Sequence, residues 1–291
     1  AAADNAPGGY LRHVRTAERN DALTVRMIVN PPVEHMEHMV RLGITSGMGS
    51  PMVRVGGVKI FTDGSIGART AALTQDYTDE RGNRGRLLID EKEYRRIVTE
   101  AVENDIQTVT HAIGDAAIEM VISAFEDLND SARVREQRHR IEHAEMMSEE
   151  QIRRAVSVGL ILSMQPNFVG RWQQSGGLYE TRLGTDRMEH MNMFRVALDN
   201  GARLCFGSDG MPYDPLYGIW SATTHPNPRV VISVEEAIRC YTMESAYASF
   251  VERTLGSLSV GKRADFVILS KNIMTVPPNE IQHARIEATY V

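Results

Sequence analysis

Gln107-Thr108-Val109-Thr110-His111, a helical pattern from Ala116 to Leu128, and His139-Arg140-Ile141-Glu142-His143 together form the stretch that decides the fold. Two short apolar runs flank a segment whose apolar residues recur at three- and four-residue spacing. That is the strand–helix–strand order of a parallel sheet. Both runs stop at a histidine. Towards the N-terminus the same alternation continues: a helix over Glu91–Asn104, a valine-rich strand over Val53–Phe61 ending at Thr62-Asp63-Gly64, a helix over Val33–Leu42 and a strand over Leu23–Val29. Towards the C-terminus, Ser148-Glu149-Glu150-Gln151 opens a helix with a capping-box pattern. Leu160–Gln165 reads as a strand stopped by Pro166, and Met193–Asn200 as a helix stopped by Gly201. Arg203–Gly207 is the last strand of the series, with a helix around Val234–Tyr241 after it.

The count is six strands, where a closed (β/α)8 barrel takes eight. The expected fold is therefore α/β, a barrel over residues 1–255 that lacks its first strands. From Gly256 the pattern changes: Gly261-Lys262-Arg263-Ala264-Asp265-Phe266-Val267-Ile268-Leu269 is a turn and a β run with no helical unit after it. Residues 256–291 are expected to form a separate β segment. A barrel with two open edges invites strand pairing with another chain, so a homo-oligomer is expected.

Composition narrows the function. With 291 residues, 42% hydrophobic and 24% charged, the chain has the balance of an ordinary soluble domain. Its formal net charge of -6 argues against a nucleic-acid partner, which needs a basic face. The basic cluster Arg133–Arg140 is interrupted by Glu136 and reads as a solvated loop ahead of a strand. Cys205 and Cys240 lie in apolar surroundings without ligand-like spacing, so they are expected to be buried free thiols in a reducing cytoplasm. No apolar run approaches the ~20 residues a bilayer span needs, so no membrane partner is expected. No signal-peptide pattern is present, although the chain opens Ala1-Ala2-Ala3 without a methionine.

The chemistry stands at the strand ends, the positions that line the active site of such a barrel. Lys59 lies near the end of one strand, His111 and His143 end the next two, and Asp209 follows the last. Imidazoles and a carboxylate suit zinc and similar divalent ions. A single strand-end histidine is commonly just a hydrogen-bonded loop residue, but several strands delivering ligand-type residues at equivalent positions is harder to dismiss. Lys59 joins such a site only if burial strips its proton. The amine can then take up carbon dioxide to form a bridging carbamate, or remain an ammonium paired with Asp63.

Val58-Lys59-Ile60-Phe61-Thr62-Asp63-Gly64-Ser65-Ile66-Gly67-Ala68-Arg69-Thr70-Ala71, Thr110-His111-Ala112-Ile113-Gly114-Asp115, His139-Arg140-Ile141-Glu142-His143-Ala144-Glu145 and Phe206-Gly207-Ser208-Asp209 resemble the amidohydrolase superfamily. They are most similar to the branch containing N-substituted formamide deformylase and the YtcJ-like hydrolases. Leu255–Phe266 resembles the segment where those enzymes leave the barrel for a small β-sandwich, of which this chain carries a piece. The resemblance implies a metal-dependent hydrolase acting on a C–N bond of amide or N-formyl type in a small molecule. It implies one or two divalent ions, zinc first and iron or manganese next, held by Lys59, His111, His143 and Asp209. Lys59 matches the position carboxylated in many members. Asp209 would serve as catalytic base and then acid, and the Asp63–Arg69 loop would supply substrate contacts through Asp63 and Arg69. Glu142 or Asp115 would orient the histidines. The family's His-x-His on strand one has no counterpart; His35 and His38 lie on a predicted helix as surface residues.

Two rival readings remain. A non-catalytic scaffold or regulatory protein could keep the barrel without the chemistry, but would have no need of His111, His143 and Asp209 together. A Schiff-base aldolase built on Lys59 leaves both histidines unexplained.

Overall fold

The structure is a computed structural model that describes residues 2–5 (main chain only), 9–211 and 213–291. Parallel strands form its centre. They are β1 (Ala2–Asn5), β2 (Met27–Asn30), β3 (Val53–Val55), β4 (Val58–Phe61), β5 (Thr108–Ala112), β6 (Arg140–His143), β7 (Ile161–Met164) and β8 (Arg203–Phe206). The order β1-β2-β3 makes one sheet and β4-β5-β6-β7-β8 another, every pairing parallel.

The expected single strand Val53–Phe61 is broken at Gly56-Gly57, and the break joins the two sheets. The Gly56 N–H donates to Val29 O at 2.8 Å and Gly57 N–H to the Asn30 side chain at 3.1 Å, while Val58 N–H already donates to Gln107 O at 2.8 Å. The chain thus passes from one neighbour to the next within two residues. A Cβ on Gly57 would stand 2.3 Å from Gln107 O, so only glycine permits the approach. β1 has no counterpart among the six strands read from the sequence, and it leaves β1 and β8 as the outer strands of the series among the described residues.

Helices fill the connections: α1 (Tyr10–Arg19), α2 (Met36–Leu42), α3 (Glu91–Glu103), α4 (Asp115–Glu126), α5 (Ser131–Gln137) and α6 (Glu149–Val158). The Ser148 capping box forms as expected, its hydroxyl accepting from Gln151 N–H. Arg133–Gln137 belongs to α5, started by the Asp130 carboxylate accepting from Arg133 N–H, where the sequence suggested a loop. The stretch from Pro166 to the next expected helix at Met193 holds α7 (Pro166–Trp172), α8 (Leu178–Leu183) and α9 (Thr185–Glu189). Next come α10 (Phe194–Asp199), α11 (Pro215–Thr223) and α12 (Val234–Arg239), then a π-helical turn Cys240–Glu244 and α13 (Ser245–Ala248).

The largest core lies between sheet and helices: Val58, Ile60, Ile141, Leu162 and Leu204 point outward against Val98, Ala101, Ile118, Val121 and Ile152. Strand alternation then turns Lys59, Phe61, Glu142, Ser163 and Cys205 to the opposite, inner face. Residues 256–291 carry the antiparallel pair β9 (Phe266–Leu269) and β10 (Ile286–Tyr290). Ile273, Ile281 and Ala284 of this segment pack into the main core, and Arg26 makes a two-pronged ion pair with Asp265. Both cysteines are free and buried. Among the described residues no helix is long and apolar enough to cross a membrane.

Candidate functional site

Three of the four expected ligand residues converge at the C-terminal ends of the inner strands. The His111 and His143 rings lie 4.5 Å apart between centroids at 68°. His143 Nε2 stands 3.9 Å from Asp209 Oδ2. The backbone is strained where this happens: His143 (φ 73°), Ala144 (φ 50°) and Asp209 (φ 53°) all occupy the left-handed region. Each costs on the order of 1–2 kcal/mol for a residue with a Cβ, a conformation that persists only where surrounding contacts enforce it. At His143 the strain turns the side chain out of the alternation of β6 and towards Asp209.

Hydrogen bonds orient the two rings. His143 Nδ1 lies 2.7 Å from Gln165 Oε1, and Gln165 Nε2 donates to Ser163 O at 3.2 Å. Gln165 thus presents its oxygen to the ring, Nδ1 carries the hydrogen, and Nε2 is left as a lone pair facing Asp209. His111 Nε2 donates to Gly64 O at 2.9 Å, with Asp63 Oδ1 3.4 Å from the same nitrogen. Burial, reinforced by His111 and Lys59, holds His143 well below the usual histidine range, so it is neutral at pH 7.

Lys59 lies on the inner face, 5% exposed. Burial pulls its amine below the usual lysine range, with Glu142 and Asp209 acting in the other direction. Asp63 is not its partner. Both Asp63 oxygens are taken up by backbone N–H groups of Ala72, Ile113 and Gly114 at 2.8–3.1 Å, which staples the 63–90 loop to the end of β5. Arg69 is held by Asp79 and Glu80, and Arg182 adds a second contact to Asp79. Neither Glu142 nor Asp115 orients a histidine. Glu142 accepts from Arg140 and Ser163, both at 2.8 Å, and Asp115 accepts from Thr74. His35 is exposed at the end of the turn leading into α2, and His38 is exposed on α2 itself.

Gln165 was within reach of the strand-end rule, since it follows β7, but an amide carries no ligand signal of its own. Glu145 was less legible. It lies fully buried with Oε2 unpartnered, beside Tyr179 and Asn192, and burial pushes its carboxyl up to about 7. Phe168 stacks on His143 at 5.9 Å and 11°, and Trp172 and Tyr179 continue this aromatic series away from the site.

The donor types suit a divalent ion: two imidazoles, of which His143 is held neutral by burial, a carboxylate beside it, and a lysine whose burial favours the free amine. Among the described residues no three His, Cys, Asp or Glu side chains are grouped so that they could hold a metal ion, so the fit lies in the chemistry of the donors alone.

Comparison with known proteins points the same way. Residues 8–291 match the model of the amidohydrolase family. The chain is 32% identical over 273 residues to YtcJ, a proposed amidohydrolase of Bacillus subtilis (strain 168), covering 88% of this chain and 50% of that protein. It is 26% identical over 253 residues to the N-substituted formamide deformylase of Arthrobacter pascens, covering 83% and 45%. An uncharacterised metal-dependent hydrolase from Pyrococcus furiosus superposes with a TM-score of 0.79 at 29% identity, over 89% of this chain and 53% of that one. The chain spans about half the length of the curated relatives it matches.

Proposed function

Because the chain belongs to the amidohydrolase family, we propose that its site hydrolyses a C–N bond of amide or N-formyl type in a small molecule, with a divalent metal, zinc first, as cofactor. The observation that carries this reading is the His143 Nε2 lone pair, held neutral by burial and aimed at the Asp209 carboxylate 3.9 Å away. His111, His143 and Asp209 would hold the ion, with Lys59 joining once deprotonated. When bound, such an ion lowers the pKa of water from about 15.7 towards ~7 and polarises a carbonyl oxygen.

The protein's own residues supply the rest. Gln165 and the Gly64 carbonyl each hydrogen-bond one imidazole and so orient the two rings. Asp209 has a half-exposed carboxylate that can take a proton from water and return it to the leaving amine. Burial of Lys59 favours the free amine, which with carbon dioxide gives a carbamate and a released proton. Arg140 and Ser163 occupy the Glu142 carboxylate, so among the described residues Lys59 has no dedicated ion-pair partner. Support for a C–N bond comes from the formamide deformylase, and the choice between amide and N-formyl substrates is open to assay.

The test is turnover of a panel of amides and N-formyl amines by zinc-supplied protein, wild type and Asp209→Asn. The expected result is hydrolysis by the wild type and a loss of roughly 10²–10⁴-fold in kcat in the variant. Equal rates in the two would overturn the role of Asp209. A metal-loaded wild type inert towards the whole panel would favour the scaffold reading instead.

A further inference from the structure

Phe61 closes β4 on the same face as Lys59, because Val58 and Ile60 turn into the helix-packed core. Lys59 is buried, but 52% of Phe61 is exposed. Its ring centroid lies 5.2 Å from that of His111, tilted 42°, and 4.8 Å from Lys59 Nζ. The other aromatic ring against the histidine pair, Phe168 on His143, is buried. Phe61 is therefore an apolar ring half in water, within one ring's width of the groups assigned to the reaction.

Such a placement does little for the fold. The buried part of the ring touches a lysine and a histidine rather than the core, and the exposed part gains nothing until an apolar surface covers it. Ligand sites commonly combine a few fixed polar groups with apolar walls, and here the polar groups already stand together while Phe61 is the wall. From these observations we infer that Phe61 is a specificity-determining residue, the surface that receives an apolar, preferably flat, substituent on the scissile amide. The inference rests on the hydrolase reading above and narrows it to amides that carry an apolar group next to the reacting carbonyl. The competing role is that Phe61 merely shields Lys59 from water. That role would affect every ligand alike, whereas a wall discriminates by the size and shape of the substituent.

The experiment is calorimetric titration of the zinc-supplied protein with N-methylurea, N-butylurea and N-phenylurea, which present the amide group and resist cleavage. Wild type, Phe61→Ala and Phe61→Leu are compared, with metal content and melting temperature measured for each. The wild type should bind the phenyl compound roughly tenfold more tightly than the methyl one. Phe61→Ala should flatten that gradient to about twofold or less, and Phe61→Leu should retain the butyl preference alone, with metal content unchanged. A gradient that survives in Phe61→Ala, or is absent from the wild type, overturns the inference. Cleavage of the matching N-substituted formamides judges the hydrolase reading separately. Graded binding without cleavage leaves Phe61 in its role and removes the reaction; cleavage with flat binding does the reverse.

Discussion

Glu145 shows how much a single residue can cost next to this site. Its carboxyl is buried with one oxygen unpartnered, near Tyr179, Asn192, Asp63 and Asp209, and burial raises its pKa from 4.5 to about 7. The folded chain therefore holds this proton more tightly than the unfolded chain does. The penalty is absent below pH 4.5, grows as pH rises, and is complete above 7, where it reaches about 3 kcal/mol at most. Glu145→Gln removes the charge and keeps the shape. The variant minus wild-type stability should rise across that window and level off above pH 7, as read by denaturant midpoints at several pH values. A flat difference would mean that Glu145 is solvated or paired in the folded protein. His143 and Asp209 could be singled out in the sequence because histidine and aspartate at strand ends are ligand-type residues. Glu145 was not, because whether a carboxylate has a partner depends on packing between segments distant in the chain.

Among the elements, β3 and β4 carry the most information per residue. Val53–Phe61 reads as one strand, since valine alternation outweighs two glycines within it, and the structure breaks it there so that one chain run can pair with β2 on one side and β5 on the other. The glycines signal close backbone approach, but which neighbour approaches is a tertiary fact. Gly57→Ala would place a methyl 2.3 Å from Gln107 O. It should cost roughly 2 kcal/mol or more and lower the melting temperature, while the same change at Gly207, whose Cβ would meet nothing within 4 Å and whose φ is not positive, should cost less. Equal effects at the two positions would contradict this account of the junction. The helices α3 and α4 were readable to within a residue or two, and the start of α6 from its capping box, because apolar spacing and caps are local. The helices α7 to α9 were hidden by their shortness and by the glycines Gly176, Gly177 and Gly184 between them.

For the whole molecule, the parallel sheet has one face committed to the helices and one that carries polar side chains. The strand-by-strand alternation that builds the core therefore also delivers Lys59, His111 and the Glu142 cluster to the inner side. This explains why Lys59 and His111 could be placed on one face from the sequence before the strand count was right: their positions follow from the period of two, whereas closure and edges depend on pairings that no local pattern records. The central claim is that the strand-end residues form one metal site. The measurement that tests it is metal content by mass spectrometry on protein supplied with zinc and bicarbonate, for wild type, Gln165→Leu and the His111→Ala/His143→Ala double variant. The account expects stoichiometric zinc, iron or manganese in the wild type, weaker retention in Gln165→Leu by roughly 10–100-fold in affinity, and none in the double variant. Metal that stays bound in the double variant, or a wild type that takes up none, would contradict it.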